Sequence, residues 1–121
     1  HKKCYLPVLR RFPKYELAFV RIYAHSRLQK HRFGFKEPQG RPRLFIHQLD
    51  MVCMPLVGFD SHCQRLGMGG GFYDRSLARK KWGQAFTVGL AHQCQQVTQI
   101  PIAAWDMALN AVLTPNQSHL R

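Results

Sequence analysis

The residues of this chain best suited to chemistry lie in one short run, from Arg65 to Arg75. Four of the five positions from Gly67 to Gly71 are glycine. Because glycine has no Cβ, such a loop tolerates positive φ and brings backbone N–H groups close to a ligand. The two arginines bracket the loop with permanent positive charge. The run is suited to binding phosphate or a nucleotide, although its spacing alone leaves a plain tight turn equally open.

The loop matches neither of the common nucleotide-binding spacings. It is not the dinucleotide pattern G-x-G-x-x-G, and no Lys-Ser or Lys-Thr follows as in a P-loop. Asp74 comes directly after it, in the first turn of a predicted helix. A carboxylate there complements the helix dipole, and it is also a ligand type that Mg²⁺ accepts. The sequence leaves both roles open.

The elements around the loop are a strand and a helix. The apolar run from Met51 to Phe59 predicts a buried strand, and Phe72 to Trp82 predicts a helix with basic residues in its last turns. A continuous apolar run suits a parallel sheet that is covered on both faces, so we expect Cys53 to be a small core residue.

Other parts of the chain predict further strands, and together they indicate an α/β class with a parallel or mixed sheet. In such sheets ligands bind at the carboxyl ends of strands. The predicted strands are Tyr5–Leu9, Glu16–Tyr23, Phe86–Ala91 and Ala111–Thr114. The predicted irregular parts are His25–Arg32 as a basic helical turn or loop, a loop through Gly34, Pro38, Gly40 and Pro42, a loop over Val97–Ile102, and a frayed tail over Asn116–Arg121.

The net charge of +12 is large for 121 residues. Most of the Lys and Arg lie between Lys2 and Arg43, and none lies between Met51 and Gln64. Three interpretations stay open: a nucleic-acid surface, attraction of a polyanionic small molecule such as ATP, and a solvated basic face. Nucleic acid is the less favoured partner, because aromatic residues do not alternate with the basic ones in an RNA-binding pattern.

Length and composition fit one domain, residues 1–121, with a real core. No run approaches the roughly 18 apolar residues of a membrane-spanning helix, and no secretory signal is present. We therefore expect a cytoplasmic protein with four reduced cysteines and no membrane contact. His1 replaces an initiator Met and a predicted strand begins almost at once, so we expect a fragment of a longer protein.

The chain from Asp50 to Thr114 resembles the 5-formyltetrahydrofolate cyclo-ligase family, also called 5,10-methenyltetrahydrofolate synthetase. The proteobacterial members, with three consecutive glycines, are the most similar. The matching stretches are Met54–Asp60, Gln64–Arg75, Val88–His92, Gln95 and Pro101–Thr114 around Trp105 and Asp106.

This resemblance implies a three-layer fold of the NagB/RpiA-like type and an ATP- and Mg²⁺-dependent ring closure. The formyl oxygen of 5-formyltetrahydrofolate attacks the γ-phosphate, N10 closes the ring, and 5,10-methenyltetrahydrofolate, ADP and phosphate are released. It further implies that Arg65 and Arg75 are catalytic and that Asp74 and Asp106 hold Mg²⁺. The implied ATP contacts are Arg65, Leu66, Gly67, Met68, Gly69, Gly70, Gly71, Phe72 and Tyr73, of which Met68 to Phe72 also contact the folate.

The chain departs from the family pattern in three ways. The family's N-terminal segment, with further ATP and folate contacts, has no counterpart. Gly70 stands where many members have lysine, and Ala103 and Ala104 replace acidic residues before Asp106. We expect a monomer acting on 5-formyltetrahydrofolate, with or without a polyglutamate tail. The alternative is a non-catalytic remnant that binds nucleotide, folate or RNA. The simpler roles also stay open: Asp106 as a turn residue, and Tyr73 and Trp105 as core packing.

Overall fold

The computed structural model describes residues 1–10, 16–30, 34, 36–78, 85–104 and 106–121. Its regular elements are short strands, two 3₁₀ turns and one α-helix. The strands are β1 (Tyr5–Leu9), β2 (Leu17–Arg21), β3 (Leu28–Lys30), β4 (Lys36–Pro38), β5 (Arg43–Leu44), β6 (Met51–Met54), β7 (Gly58–Phe59), β8 (Arg65–Leu66), β9 (Phe86–Leu90), β10 (Ala111–Leu113) and β11 (Ser118–Leu120); the helix is α1 (Phe72–Ala78).

The main sheet has four strands in the order β11-β10-β9-β6. β6, β9 and β10 are parallel, and β11 is antiparallel to β10. The mixed sheet with a helix in the crossover from β6 to β9 confirms the predicted α/β class. β9 and β10 confirm the strands predicted over Phe86–Ala91 and Ala111–Thr114, and each ends one residue earlier than predicted.

The two faces of this sheet differ. Val52, Met54 and Val112 point to one face, where they pack with Leu77 of α1 and Leu109 in the main core. Side chains alternate along a strand, so the residues between them point to the other face.

The predicted continuous strand over Met51–Phe59 is wrong in two respects. Met51 and Cys53 are exposed, so Cys53 is not a core residue; the buried cysteine is Cys63. The run is also broken: β6 ends before Pro55, which has no N–H for a ladder hydrogen bond, and the chain turns to pair β7 with β8.

A second sheet covers the core from the other side. β1, β2 and β5 pair antiparallel in the order β1-β2-β5, and Leu17 and Phe19 of β2 belong to the main core. The predicted strand Tyr5–Leu9 is confirmed, and Glu16–Tyr23 contains β2. The segments from 11 to 15 and from 31 to 33 lie outside the described residues.

Two predicted irregular segments contain strands. Leu28–Lys30, within the stretch predicted as a helical turn or loop, pairs with Lys36–Pro38 to form a hairpin. Ser118–Leu120, predicted as frayed tail, pairs with β10, and the ring of His119 packs edge-on against buried Phe59 at 5.3 Å between centroids. Both pairings are short hairpins whose composition does not favour strands, and only the contact between Phe59 and His119 is distant in sequence.

Helix α1 is fixed to β2 by one buried hydroxyl. Ser76 Oγ accepts a hydrogen bond from the Leu17 N–H at 2.9 Å and donates to the Phe72 carbonyl at 2.6 Å. The helix begins at Phe72 as predicted and is described to Ala78; the remainder of the predicted range, to Trp82, lies outside the described residues. No helix of the described chain has the length and apolarity needed to cross a bilayer.

Gly89 occupies a position in β9 with no room for a side chain. A Cβ there would lie 2.6 Å from Leu56 Cδ2 and 2.7 Å from Leu109 Cδ1. We expect Gly89→Ala to lower the free energy of unfolding by about 1–3 kcal/mol, because the core is overpacked. Urea denaturation measures this. The loss should shrink in a Leu56→Ala background, where one of the clashing groups is gone. An unchanged or increased stability would contradict the crowding.

Candidate active site

The glycine loop lines a cavity of about 950 Å³. It connects β8 to α1, and Gly69 (φ +92°) and Gly71 (φ +67°) adopt backbone conformations that L side chains rarely take. Every residue predicted to bind ATP, folate or Mg²⁺ lines this cavity. They are Arg65, Leu66, Gly67, Met68, Gly69, Gly70, Gly71, Phe72, Tyr73, Asp74, Arg75 and Asp106.

The loop leaves a different strand from the one the sequence indicated. It follows the two-residue β8 rather than the apolar strand β6. The site nevertheless adjoins the carboxyl end of β6, because Pro55 lines the cavity and its carbonyl accepts a hydrogen bond from Arg65 Nη1 at 3.0 Å. This is the position that α/β sheets use for ligands.

Arg65 is the most constrained charge in the cavity, with its side chain only 5% exposed. Its Nη2 donates to Asp74 Oδ2 at 2.9 Å, and its guanidinium carbon lies 5.9 Å from the centroid of the Tyr73 ring. Its Nε is buried and has no hydrogen-bond partner among the described residues. A buried donor without a partner costs free energy, and functional sites are where proteins tolerate that cost.

Asp74 and Asp106 each have one carboxylate oxygen that accepts a hydrogen bond and one that accepts none from the described residues. Asp74 Oδ2 accepts from Arg65, and Asp106 Oδ2 accepts from the Ala103 N–H at 2.8 Å. Neither Oδ1 atom has a hydrogen-bond partner among the described residues. Asp106 therefore does close a turn, as the simpler interpretation proposed, and it faces the cavity as well.

These two carboxylates fit Mg²⁺ better than a cation that needs a protein cage. The described residues hold no group of three or more metal-ligating side chains. Mg²⁺ commonly takes one or two carboxylates and completes its shell with water and phosphate oxygens. Two free carboxylate oxygens on one cavity meet that requirement.

The other arginine borders the apolar part of the cavity. Arg75 Nη2 donates to the Gly70 carbonyl, and the guanidinium lies 5.5 Å from the centroid of the Phe72 ring. Met68 is 79% exposed at the cavity's rim. A Cβ at Gly70 would lie 2.7 Å from Phe72 Cε2, so any side chain at this position requires the ring to move.

Tyr73 both packs against the core and borders the cavity. Burial raises the pKa of its phenol above the usual 10.0, and the nearby Arg65 guanidinium partly opposes that shift. The hydroxyl is therefore protonated and neutral at physiological pH. Core packing and a position at the binding cavity are therefore compatible roles for Tyr73.

A buried carboxylate outside the cavity holds one of its walls. Asp60 is 1% exposed; its Oδ1 accepts from the N–H groups of His62 and Gln64, and its Oδ2 accepts from the Ile100 N–H, all at 3.0 Å. Asp60 is therefore a turn residue that follows the end of β7. Because Ile100 lines the cavity, Asp60 ties the loop before β10 to the turn before β8.

Sequence reasoning did not find the more distant lining residues. Pro55, Ile100 and Pro101 come from segments far from the glycine loop, and only a three-dimensional arrangement brings them to it. The one sequence signal was the presence of each in or beside a stretch that matched the family pattern. Trp105 lies outside the described residues, and His92 is exposed and does not line the cavity.

The family model, the similar sequences and the similar structure all indicate the same protein family. Residues 1–115 match the sequence model of the 5-formyltetrahydrofolate cyclo-ligase family. Proteins named 5-formyltetrahydrofolate cyclo-ligase from Escherichia coli (strain K12) and Haemophilus influenzae are each 43% identical, covering 96% and 93% of this chain. The NMR structure of Aquifex aeolicus 5,10-methenyltetrahydrofolate synthetase has a TM-score of 0.79 and 30% identity over 98% of this chain.

The chain is shorter than these relatives. It spans 65% of the Escherichia coli protein, 62% of the Haemophilus influenzae protein and 58% of the Aquifex aeolicus chain. A third or more of each relative therefore has no counterpart among the 121 residues.

Asp60 offers a test of how the cavity wall is held. In Asp60→Asn an amide replaces one acceptor oxygen, so at least one buried N–H loses its partner. We expect a loss of about 2–3 kcal/mol in the free energy of unfolding, measured by urea denaturation. Asp50→Asn, at an exposed carboxylate, is the matched control and should change stability little. Equal effects of the two substitutions would contradict the role given to Asp60.

Because the phenol of Tyr73 is buried, we expect the free energy of unfolding to depend on pH at high pH. Its pKa is higher in the folded chain, so its stabilising contribution is complete below about pH 10 and is lost as pH rises through the folded pKa. The unfolding free energy should therefore fall more steeply above pH 10 in the unsubstituted chain than in Tyr73→Phe. Burial also raises the pKa of Cys63, but that residue is common to both proteins. Parallel pH profiles would contradict the burial of the phenol.

Proposed function

The chain belongs to the 5-formyltetrahydrofolate cyclo-ligase family, and from this premise we propose that its cavity serves the ATP- and Mg²⁺-dependent conversion of 5-formyltetrahydrofolate to 5,10-methenyltetrahydrofolate. ADP and phosphate are the other products. The observation that carries the proposal is the composition of one cavity: a glycine loop, two arginines, two carboxylates and an apolar rim all face the same space.

The reaction joins a phosphoryl transfer to a ring closure. The formyl oxygen attacks the γ-phosphate of ATP, which breaks the bond to ADP and turns that oxygen into part of a leaving group. N10 then attacks the formyl carbon, phosphate departs with the oxygen, and N10 loses its proton. Phosphoryl transfer requires positioning and positive charge more than covalent participation by the protein.

The charged end of the cavity meets that requirement. In our proposal Arg65 and Arg75 neutralise charge on the phosphates, while the loop from Gly67 to Gly71 offers backbone donors. Arg65 is held by Asp74 and by the Pro55 carbonyl, so its guanidinium is fixed before a ligand arrives. A preorganised donor of this kind avoids the cost of reorientation during the reaction.

Asp74 and Asp106 are the proposed Mg²⁺ ligands, through the Oδ1 atoms, which accept no hydrogen bond from the described residues. When bound, Mg²⁺ would neutralise phosphate charge as a Lewis acid. Asp74 then serves two positive partners, since its other oxygen remains on Arg65. Its charge also keeps the arginine oriented toward the cavity.

The apolar rim is the proposed folate side. Met68 and Phe72 present sulfur and aromatic surface, which suits a flat ring system such as the pterin. The same loop contacts phosphates through its backbone, so the formyl group and the γ-phosphate would meet at the loop. Tyr73 adds a neutral hydroxyl at this border.

The test of the proposal uses two proteins: this 121-residue chain, and a chimaera that joins it, in the relative's order, to the residues of the Escherichia coli protein outside the 118-residue match. ADP release and methenyl absorbance are followed together. We expect 5-formyltetrahydrofolate-dependent release of ADP, equal to methenyl product, in the chimaera. Binding of ATP or folate without turnover in the folded chimaera would contradict the enzymatic proposal and favour a non-catalytic binder.

Substitution of the carboxylates separates metal binding from structural roles. We expect Asp74→Asn and Asp106→Asn each to raise the Mg²⁺ concentration for half-maximal activity of the chimaera at least about 10-fold, with kcat falling about 10²-fold. Asp50→Asn is the control and should leave both unchanged. If Asp74→Asn lowers thermal stability but not the Mg²⁺ dependence, Asp74 only pairs with Arg65 and is not a ligand.

A further inference from the structure

Strands β6 and β9 separate beyond their last aligned residues. Met54 aligns with Gly89 at the end of their parallel pairing, and the next residue, Pro55, has no N–H to extend it. The carboxyl ends of such strands are where α/β sheets bind ligands. Here the Pro55 carbonyl accepts a hydrogen bond from Arg65 Nη1 at 3.0 Å. The direction of the Arg65 guanidinium therefore depends in part on what holds the segment from Pro55 to Val57.

The side chain of Gln95 bridges the two strand ends. Gln95 is the last residue of the 3₁₀ turn that follows β9. Its Nε2 donates to the carbonyls of Leu56 and Val57, both at 3.1 Å, and its Oε1 accepts from the His92 N–H at 2.7 Å. A glutamine amide has two N–H donors, so each carbonyl receives one of them. The amide thus links the chain after β6 to the chain after β9, where the backbone pairing has ended.

This bridge restricts the direction of the Pro55 carbonyl. Because peptide units are planar, only the φ and ψ angles of Leu56 separate that carbonyl from the Leu56 carbonyl. The Leu56 side chain is buried in the main core, and the Val57 N–H donates to the Leu66 carbonyl at 2.8 Å. With the Leu56 side chain and the following carbonyls held, the Pro55 carbonyl has little freedom to turn away from Arg65.

A second glutamine in the same turn has different partners. Gln93 is exposed, its Nε2 donates to Gln96 Oε1, and its Oε1 accepts from Thr114 Oγ1 at 3.1 Å. Neither contact reaches the segment after β6. Gln95, by contrast, is half-buried, and it does not line the cavity. Any effect of Gln95 on a bound ligand therefore passes through the residues that it holds, and Gln93 is its matched control.

We propose that Gln95 is a positioning residue, which fixes the Arg65 guanidinium through the carbonyls from Pro55 to Val57. Its effect on turnover rests on the proposed function, whereas its hold on Arg65 does not. A displacement of about 1 Å in a site can lower a rate about 10²-fold. Asp74 still holds the other terminal nitrogen of Arg65 when the bridge is removed. We therefore expect loss of the bridge to lower kcat by about 10-fold, less than that limit.

Hydrogen exchange tests the hold on Arg65 without an activity assay. The buried Nε–H of Arg65 is followed by ¹⁵N NMR in the 121-residue chain, with Arg65→Lys to assign its signal. We expect Gln95→Met to speed its exchange at least about 10-fold, with Gln93→Met and the buried Val112 N–H unchanged. Unchanged exchange at Nε, or equal acceleration at Val112, would overturn the proposal. If Gln95→Met does not fold, Gln95→Glu, which keeps the shape and the acceptor for His92, replaces it in the same comparison.

Kinetics of the chimaera test whether Gln95 acts through Arg65. We expect Gln95→Met to lower kcat about 10-fold and to change KM for 5-formyltetrahydrofolate less than about 2-fold, with Gln93→Met unchanged. In an Arg65→Lys background the further loss should be under about 2-fold, because both substitutions disturb the same guanidinium. Fully additive losses would overturn the proposal. A chimaera without turnover would contradict the proposed function instead, and the exchange of the Arg65 Nε–H would still decide whether Gln95 holds Arg65.

Discussion

The site depends on one ion pair between two elements. Arg65 is the first residue of β8, Asp74 lies in the first turn of α1, and the 2.9 Å contact between them closes the glycine loop that connects the two elements. The same guanidinium reaches the Pro55 carbonyl after β6. The main sheet, the β7–β8 hairpin and the helix therefore meet at a single buried side chain, which holds together the two ends of the glycine loop.

In this arrangement Arg65 and Asp74 each have a structural role and a chemical role. A buried arginine is stable only with a partner, and a carboxylate beside it keeps the charge balanced. The pair leaves the second oxygen of Asp74 uncommitted and the Arg65 Nε without a described partner. An anionic ligand at Arg65 and a cation at Asp74 can therefore bind next to each other. Neither side chain has to change its protonation state or its position first.

The sequence predicted the part of the site that is contiguous. Arg65 to Arg75 lie together because the chain holds them together, and glycine and charge patterns are readable in such a run. Asp106 entered only through a resemblance, and Pro55, Ile100 and Pro101 did not enter, since packing alone brings them to the cavity. The link between Asp60 and Ile100 is likewise a tertiary contact, which the sequence does not reveal.

In the fold, too, local features were predictable from sequence and features that depend on tertiary packing were not. The class and the strands at Tyr5–Leu9 and Phe86–Leu90 follow from local apolar runs. The exposure of Cys53 does not, because an apolar run is consistent with burial on both faces and composition cannot say what covers each face. The strand Ser118–Leu120 has little strand-forming composition and exists because β10 offers it an edge.

In the proposed reaction the cavity brings the formyl oxygen to the γ-phosphate of ATP. The most direct measurement uses 5-formyltetrahydrofolate labelled with ¹⁸O in its formyl group, turned over by the chimaera, with mass spectrometry of the released phosphate. We expect one ¹⁸O atom in each phosphate. Phosphate that takes its new oxygen from water, with the label left on the folate, would contradict the claim.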